Sequence, residues 1–484
     1  MIFVSQIQLE AIMLNKDLLN LSVVELAKRI QDRSVSSVDL TQLVLQHAQD
    51  YNAEINAYIS FRADKALAEA AQADVEIAQG SYKGIFHGIP MGIKDNIYIG
   101  GEVTTMASKI HANFISSDDA TVISKLKAAG AIIIGKLNMH EYAWGITNNS
   151  PHFGPCRNPW NLDKIPGGSS GGSGAAVASG MSTITLGTDT AGSIRIPSSA
   201  CGLVGLKPTH GLVAKYGCFP LAWTLDHIGP MAKTVADAAA MLKVIAGFDE
   251  RDPTSKHVEI PDYIALLNSD VKGKVIGINE DYFFHQVDAP IEKLVREQIA
   301  QLEQRGAIIK KVTIPALKNA EYVELVTSLS EAATIHHDDL QQRPNDFGDD
   351  IRLLFELGEL PTAVEYLQAQ QLRRELKQQF AQAFKEIDVL IAPTLPILPP
   401  DIGSSVAKLN GERVDLLNHI IRFTGPSNLT GLPALTIPCG LIDGQPVGLQ
   451  IIGPAFQEPK VFNIALAIEE QVKFNYQQPV LDRI

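Results

Sequence analysis

The chain has 484 residues, of which 45% are hydrophobic and 20% are charged. This composition is typical of a folded globular protein and excludes disorder, a collagen-like repeat and a coiled coil as descriptions of the whole chain. The 41 basic and 54 acidic residues give a formal net charge of −13 without a basic stripe, so nucleic-acid binding is not expected. At about 150 residues per domain the length suggests about three domains, although one large sheet domain can also reach this size.

Cysteine usage and hydropathy limit the compartment. The four cysteines form no CxxC pair and are too sparse for a disulfide scaffold, which predicts reduced thiols in a cytoplasmic protein. No apolar run approaches the roughly 20 residues that a membrane helix needs, so no membrane association is expected. The N-terminal stretch has neither a basic segment nor a cleavage site, so no signal peptide is expected. Met13 is an alternative natural start to Met1.

The N-terminal part of the chain reads as helical. Helix-capping patterns of the type S/T-x-x-E/D begin at Ser22 and at Ser36. A third helix is predicted over about residues 61–78, ending near Gly80, because glycine tolerates the left-handed conformation that closes many helices. These signals predict an N-terminal helical layer over about residues 1–80.

Helices and apolar strands alternate along the rest of the chain. A helix from Thr121 ends at Gly130 and precedes a fully apolar strand. Strands are predicted at residues 131–134, 183–186, 275–278, 307–312, 388–391, 434–437 and 447–452, the last two around the turn Asp443-Gly444. The alternation, without an internal repeat or a linker, predicts an α/β fold: one large domain, 1–484, with a central mixed twisted β-sheet covered by helices on both faces.

A glycine-rich run, GGSSGGSG, occupies residues 167–174 and continues directly into a helix-forming segment. A flexible linker is a poor explanation, because the run is short and lies between Pro166 and an apolar helix. A nucleotide-binding loop is excluded because the lysine of the phosphate-binding motif and the dinucleotide-binding pattern are both absent. The run therefore predicts a close approach of the backbone to another group.

Ser193 follows a small-residue turn, GTDTAG, after a predicted strand. A serine in such a turn is well placed as an exposed nucleophile, with neighbouring backbone N–H groups facing a substrate oxygen. An ordinary turn with a capping serine explains this segment equally well.

Lys94 is the single charged residue within an otherwise apolar run, GIPMGIK, which Asp95 follows. One interpretation is a surface lysine paired with Asp95. The other is a buried lysine whose pKa falls until the neutral amine accepts a proton, which would make it the base for a nucleophilic serine.

Together these segments resemble the amidase signature family. Residues 167–197 are similar to the defining segment of that family, and HGIPMGIKDN at 87–96 is similar to its catalytic-lysine motif. The resemblance continues through TTMASK (104–109), GKLNMHEYAWG (135–145), FGPCRNPWN (153–161), CGLVGLKPTHG (201–211), NLTGLPALTIPCG (428–440) and PVGLQIIG (446–453). It covers nearly the whole chain and assigns a signature core to about residues 81–240.

The resemblance implies a role for each matching residue. Ser193 is expected to be the acylated nucleophile, Ser169 a serine in a cis peptide bond that relays a proton, and Lys94 the base. Ser170 and Ser173 are expected to be structural. The backbone N–H groups of an oxyanion hole are expected at Thr190, Ala191, Gly192 and Ser193.

Two side chains near this loop are expected to be structural. Arg195 should anchor the loop, with Asp189 as its partner. Ala191 stands where most family members have glycine, so the loop must adopt a conformation that alanine tolerates.

The resemblance implies an amidohydrolase without a cofactor or a metal that acts on a small-molecule amide. The first hypothesis is a stand-alone enzyme for a neutral or partly apolar amide, with carbamates, aryl amides and esters as variants. The alternative is the glutaminase A subunit of a tRNA-dependent amidotransferase. That subunit is expected to hold glutamine with an acidic residue and a basic pair, at whose places this chain has Ile421 and Leu353-Leu354. A non-catalytic binding protein on the same scaffold is a third hypothesis, and the resemblance leaves a homodimer open.

Several other patterns are expected to be structural. His336-His337-Asp338-Asp339 contains metal-ligand residue types, but neighbours on a helix point in different directions, so no metal site is expected. His140-Glu141 is interpreted as a structural hydrogen-bonding pair. Tyr142, Trp144 and Phe153 are expected in the core rather than in a substrate pocket.

Overall fold

The fold is described by a computed structural model for residues 16–474. The alternative start at Met13 lies outside the described residues. The β-strands are β1 Tyr58–Phe61, β2 Pro90–Lys94, β3 Ile132–Leu137, β4 Asn149–Ser150, β5 Gly154–Pro155, β6 Thr185–Asp189, β7 Val204–Lys207, β8 His227–Ala232, β9 Val275–Ile278, β10 Ile308–Lys311, β11 Val389–Pro393, β12 Val406–Leu409, β13 Glu412–Asp415, β14 Ala434–Ile442 and β15 Gln445–Ile452.

The helices surround these strands. The α-helices are α1 Val23–Gln31, α2 Ser37–Ile55, α3 Ala63–Ala78, α4 Thr121–Ala128, α5 Gly171–Ala178, α6 Arg195–Cys201, α7 Val235–Ile245, α8 Glu280–Phe283, α9 Ala289–Gln304, α10 Ala320–Gln342, α11 Asp349–Gly358, α12 Ala363–Ala383, α13 Leu416–Ile421, α14 Gly425–Thr430 and α15 Glu458–Val472. Short 3-10 helices cover Asp17–Asn20, Glu141–Ala143, Pro315–Asn319 and Pro344–Asp346.

One sheet of eleven strands forms the centre of the molecule. Its order is β1-β3-β2-β6-β8-β7-β14-β15-β11-β9-β10. Strand β2 runs parallel to β3 and β6, whereas β14 is antiparallel to both β7 and β15, so the sheet is mixed as the sequence predicts. Helices cover both faces of the sheet, and a continuous core of buried apolar side chains joins the layers.

Local sequence signals explain where several elements begin and end. Ser22 forms a capping box with Glu25, and the Ser36 side chain accepts a hydrogen bond from the Asp39 backbone. Residues Asp443 and Gly444 both have positive φ, 50° and 76°, as a two-residue hairpin turn between β14 and β15 requires.

The N-terminal layer departs from its prediction at one place. Residues 58–61 form the edge strand β1, which pairs with β3, and the following helix begins only at Ala63. The helical signal of residues 63–78 hides this short strand, because four residues are too few to show a period of their own.

Two predicted absences can be compared with the fold. Within residues 16–474, no helix combines the length and apolarity needed to cross a membrane. All four cysteines, Cys156, Cys201, Cys218 and Cys439, are free thiols.

Strands β2 and β6 bring the candidate site together. They are parallel neighbours, with Gly92 opposite Thr185 and Ile93 opposite Leu186. Because parallel strands end at the same edge of a sheet, Lys94 at the end of β2 lies close to the turn that follows β6.

Candidate active site

Lys94 is buried, with no exposed side-chain surface. The neighbouring Asp95 does not pair with it: Asp95 accepts hydrogen bonds from the Thr105 hydroxyl and backbone and lies 3.4 Å from Lys136 Nζ. The interpretation of Lys94 as a surface lysine paired with Asp95 is therefore wrong.

The Lys94 amine has two hydroxyl neighbours. Its Nζ lies 2.8 Å from Ser169 Oγ and 2.7 Å from Thr188 Oγ1. Asn96 Nδ2 also donates to Thr188 Oγ1, at 3.2 Å. Burial lowers the pKa of Lys94 to about 7, so the neutral amine is well populated at neutral pH. In that form the amine can donate to Thr188 and still accept the Ser169 proton.

Ser169 lies in the glycine-rich run, and the Gly168-Ser169 peptide bond is cis. The run passes close to other backbone segments: a Cβ atom at Gly172 would lie 2.3 Å from the Asn138 carbonyl oxygen and 2.6 Å from that of Ala57. No side chain fits there, which explains the glycine and excludes the flexible-linker interpretation.

Ser170 and Ser173 attach this run to strand β6. The Ser170 hydroxyl donates to the Thr188 carbonyl at 3.1 Å, and the Ser173 hydroxyl donates to the Leu186 carbonyl at 3.2 Å. Both hydroxyls are thus hydrogen-bonded within the core, in agreement with the structural role expected for them.

Ser193 lies in the turn between β6 and α6, with 8% of its surface exposed, and it lines a cavity. Its carbonyl oxygen accepts a hydrogen bond from the Ser170 backbone N–H at 3.3 Å. The fold therefore holds the Ser193 turn against the segment that contains Ser169, whose hydroxyl contacts Lys94.

One backbone N–H group of the predicted oxyanion loop already donates a hydrogen bond within the protein. The Gly192 N–H donates to Asp189 Oδ1 at 2.8 Å, so in this conformation it is not available to a substrate oxygen, contrary to the expectation for Gly192. Ala191 has a negative φ, which suits its side chain, whereas Gly192 has a φ of 137°. A Cβ atom at Gly192 would also lie 2.3 Å from Thr424 Oγ1.

Arg195 and Asp189 form a fully buried ion pair. Arg195 Nη2 lies 2.9 Å from Asp189 Oδ1, and Arg195 Nε lies 3.0 Å from Oδ2. Burial raises the pKa of Asp189, but the charges of Arg195 and Lys207 and the hydrogen bonds from Arg195 and Asn428 together outweigh it and lower that pKa to about 2. The same guanidinium donates to Thr424 O, Ser427 Oγ, Gln450 Oε1 and Asn428 Oδ1. The predicted anchor is confirmed, and it ties the Ser193 loop to α14 and β15.

The cavity at Ser193 is mainly apolar. Trp144 forms part of its wall, so this residue is a pocket residue as well as a buried one, whereas Tyr142 belongs to the core as expected. Of the positions compared with glutamine-binding residues, Ile421 and Leu354 line the cavity, and Leu353 is exposed to solvent.

Glu324 is the one ionisable side chain among the described residues that line this cavity. It is 4% exposed, and burial raises its pKa to about 8. Its Oε1 accepts a hydrogen bond from Ser328 Oγ at 3.0 Å, one turn further along α10. Sequence reasoning missed Glu324, because a single acidic residue in an amphipathic helix gives no sign of its burial.

The histidine patterns form no metal site. His336 packs against the rings of Tyr142 and Phe355, while His337 is exposed and lies 2.8 Å from Glu359. No cluster of three or more metal-ligating side chains occurs between residues 16 and 474.

His140 and Glu141 are structural but do not pair with each other. His140 Nε2 lies 3.2 Å from Asp350, and the Glu141 carboxylate accepts the Gly348 N–H at 2.9 Å. Both side chains therefore fix the start of α11 beside the cavity, and the expectation of a mutual pair is corrected.

Comparison with known proteins places this geometry in a family. The family described as Amidase matches residues 39–462. The chain is 37% identical to the A subunit of the glutamyl-tRNA(Gln) amidotransferase of Carboxydothermus hydrogenoformans, over 96% of this chain and 100% of that protein.

Solved structures show the same similarity. A protein of a vestigial complex, related to the origins of an s-triazine catabolic enzyme, is 33% identical with a TM-score of 0.89, over 93% of this chain and 98% of that one. A bacterial aryl acylamidase of the amidase signature family is 27% identical with a TM-score of 0.88, over 95% and 98%. These similarities indicate an enzyme that cleaves C–N bonds. The chain belongs to the amidase signature family.

Proposed function

We propose that the protein hydrolyses a small-molecule amide through an acyl-enzyme on Ser193, with Ser169 as proton relay and Lys94 as base. The observation that carries this proposal is the buried Lys94 amine, with a pKa near 7, at 2.8 Å from Ser169 Oγ. A neutral amine at that distance can accept a proton from the serine, which is what a nucleophile of high pKa requires.

The reaction has two halves. Lys94 takes the Ser169 proton, Ser169 takes the Ser193 proton, and Ser193 Oγ forms a bond to the amide carbon. The tetrahedral intermediate collapses as the C–N bond breaks, and the leaving nitrogen receives the proton back along the same relay. Water then attacks the ester, its proton enters the relay, and the acid is released with Ser193 restored.

The oxyanion would lie against backbone N–H groups of the Ser193 loop. We assign this role to Thr190, Ala191 and Ser193, because the Gly192 N–H already donates to Asp189. Two or three such donors in a water-poor site stabilise a developing negative charge by several kcal/mol.

The curated relatives favour the glutaminase hypothesis over the stand-alone amidase. A protein named as the A subunit of the glutamyl-tRNA(Gln) amidotransferase aligns with nearly the whole of this chain at 37% identity. On this basis glutamine is a candidate substrate, with ammonia passed to a partner protein.

The cavity favours an amide that lacks a free carboxylate. Among its described lining residues no lysine or arginine is present to meet the α-carboxylate of glutamine. Arg422, next to Ile421, is committed elsewhere, since its guanidinium donates to Gln286 Oε1 at 3.0 Å and to the His285 carbonyl. This observation keeps a stand-alone amidase for neutral or partly apolar amides, aryl amides or carbamates as the second candidate.

A cytoplasmic location without a nucleic-acid or membrane surface fits both candidates. As a stand-alone amidase the protein would act as a homodimer. As a relative of an amidotransferase subunit it would act in a complex of several different chains.

A substrate comparison tests the proposal and separates the two candidates. We would measure kcat/KM for glutamine, hexanamide and acetanilide with the purified chain, with Ser193→Ala as the inactive control. Turnover of glutamine at least tenfold above that of the other two supports the glutaminase, and the reverse order supports the stand-alone amidase. Equal rates for the wild type and Ser193→Ala would refute both.

A further inference from the structure

One carboxyl oxygen of Glu324, at the cavity next to Ser193, has no hydrogen-bond partner among the described residues. Its Oε1 accepts from Ser328 Oγ, whereas its buried Oε2 has no hydrogen-bond partner among residues 16–474. A buried polar atom without a partner is unfavourable, so a ligand group that donates a hydrogen bond to Oε2 would be stabilised there. In the described part of the chain, oxygens of Glu54, Asp95, Glu141 and Asp237 also lack a hydrogen-bond partner, but of these carboxyls only that of Glu324 lines the cavity next to Ser193.

None of the charged groups around Glu324 donates a hydrogen bond to its Oε2. Arg373 and Arg195 act on it only at a distance. The Arg373 guanidinium is held by the Leu429 carbonyl at 2.8 Å and by Thr224, and that of Arg195 is held by Asp189. Asp189 and Tyr282 also interact with Glu324, but Asp189 is an anion that cannot donate, and the Tyr282 hydroxyl donates to the Arg422 carbonyl at 2.9 Å.

Most of the cavity wall around the Glu324 carboxyl is apolar. Leu325, Leu354, Leu417 and Ile421 line the same space and offer only apolar surface. Apart from the nucleophile Ser193 and Thr190, whose hydroxyl donates to Asp226, the hydroxyl and carboxyl groups lining this cavity are those of Glu324 and Ser328, which form one polar anchor on neighbouring turns of α10. Such a single polar contact in an apolar pocket fixes orientation and supplies selectivity.

We propose that Glu324 is a specificity-determining residue, which accepts a hydrogen bond at Oε2 from an amine, amide N–H or hydroxyl on the acyl part of the substrate. This inference rests on the proposed function, because it takes the acyl group of the Ser193 ester to occupy the cavity. The preferred substrates are then amides whose acyl chain carries a second hydrogen-bond donor. For a glutamine substrate that donor is the α-ammonium group.

Three matched amides test the proposal at pH 9, where the Glu324 carboxyl, with its pKa of about 8, is mostly ionised and an alkylammonium group is still charged. Hexanamide, 5-hydroxypentanamide and 5-aminopentanamide have the same number of non-hydrogen atoms and end in a methyl, a hydroxyl and an ammonium group. Homologues one carbon shorter and one carbon longer place the terminal group at different depths in the cavity. For the best chain length we expect kcat/KM at least tenfold higher for a donor-terminated amide than for the methyl-terminated one, because a site built for a hydrogen bond rejects an analogue that lacks it.

Variants of α10 assign the preference to one side chain. Glu324→Met should remove the preference for both donors, whereas Glu324→Gln should keep the hydroxyl preference and lose most of the ammonium preference. Glu321→Gln, an exposed acid one turn earlier on the same helix, is the matched control and should leave all ratios unchanged. A Glu324→Met enzyme that keeps the wild-type ratios would overturn the proposal.

A binding measurement separates this inference from the proposed function. Calorimetry with the Ser193→Ala protein gives Kd for the three amides without turnover, and Glu324→Met in that background gives the comparison. Tighter binding of the donor-terminated amides that depends on Glu324 supports the inference even if no hydrolysis occurs, in which case the proposed function alone fails. Equal Kd values for the three amides overturn the inference even where hexanamide and acetanilide are hydrolysed.

Discussion

Lys94 Nζ and Ser169 Oγ lie 2.8 Å apart in a site where neither side chain is exposed to solvent. Water that would otherwise stabilise the ammonium form is excluded, and burial lowers the pKa of Lys94 to about 7. A lysine that is normally protonated at neutral pH thereby becomes available as a base for the serine beside it.

Replacing Lys94 by methionine should abolish turnover without unfolding the protein. Methionine fills similar volume but cannot accept the Ser169 proton, and loss of a general base costs about 10²- to 10⁴-fold in rate. Steady-state kinetics and a thermal melt on the same preparation check both parts. Activity close to that of the wild type would eliminate Lys94 as the base.

The acid limb of the pH–rate profile should report Lys94. Below its pKa of about 7 the amine is protonated and cannot accept a proton, so kcat/KM should fall as pH decreases, by about tenfold per unit once protonation is complete. The measurement is kcat/KM of an uncharged amide from pH 5 to 9. A profile that stays flat down to pH 5 would contradict the assignment.

Thr188→Val should move this acid limb to lower pH. Thr188 Oγ1 accepts a hydrogen bond from the Lys94 amine at 2.7 Å and so helps to stabilise its charged form. Without that acceptor the ammonium form is less favourable, and the pKa of Lys94 falls further. Thr188→Ser keeps the hydroxyl and serves as the control. An unchanged limb in Thr188→Val would mean that this contact does not tune Lys94.

Arg195→Met should destabilise the fold by about 3–5 kcal/mol, because it leaves the buried Asp189 carboxylate without its partner. Arg296→Met, which breaks an ion pair with a 41% exposed arginine side chain, should cost less than about 1 kcal/mol. Urea unfolding of both variants measures the difference.

The stabilisation of the fold by the Arg195–Asp189 ion pair should decrease at low pH. The pKa of Asp189 is lowered to about 2 in the folded state, below its unfolded value of about 3.9. The stabilisation is therefore fully present above about pH 4 and is lost as pH falls towards 2. Equal free energies of unfolding for Arg195→Met and Arg296→Met at pH 7 would contradict this account.

The sequence predicts the main elements because their signals are local. The caps at Ser22 and Ser36, the hairpin at Asp443-Gly444 and the glycine-rich run all act within a few residues of themselves. Strand β1 was missed because its pairing with β3, more than seventy residues away in sequence, decides its conformation.

Sequence motifs predict the catalytic residues of the site. They do not predict the contacts that depend on how distant segments pack together. The neighbours of Lys94 follow from the family resemblance, but its burial and its contact with Thr188 follow only from the position of β2 beside β6. The hydrogen bond of the Gly192 N–H to Asp189 and the burial of Glu324 likewise depend on side chains from other segments. Neither this hydrogen bond nor the burial of Glu324 can be read from the local sequence.

The most direct test of the account is covalent labelling of Ser193. A fluorophosphonate added at pH 8 should label one serine, and peptide mass spectrometry should identify it as Ser193. The rate of labelling should fall by at least about a hundredfold in Lys94→Met, since the nucleophile then has no base. Labelling of a different serine, or an equal rate in Lys94→Met, would contradict the central claim that Lys94 activates Ser193 through Ser169.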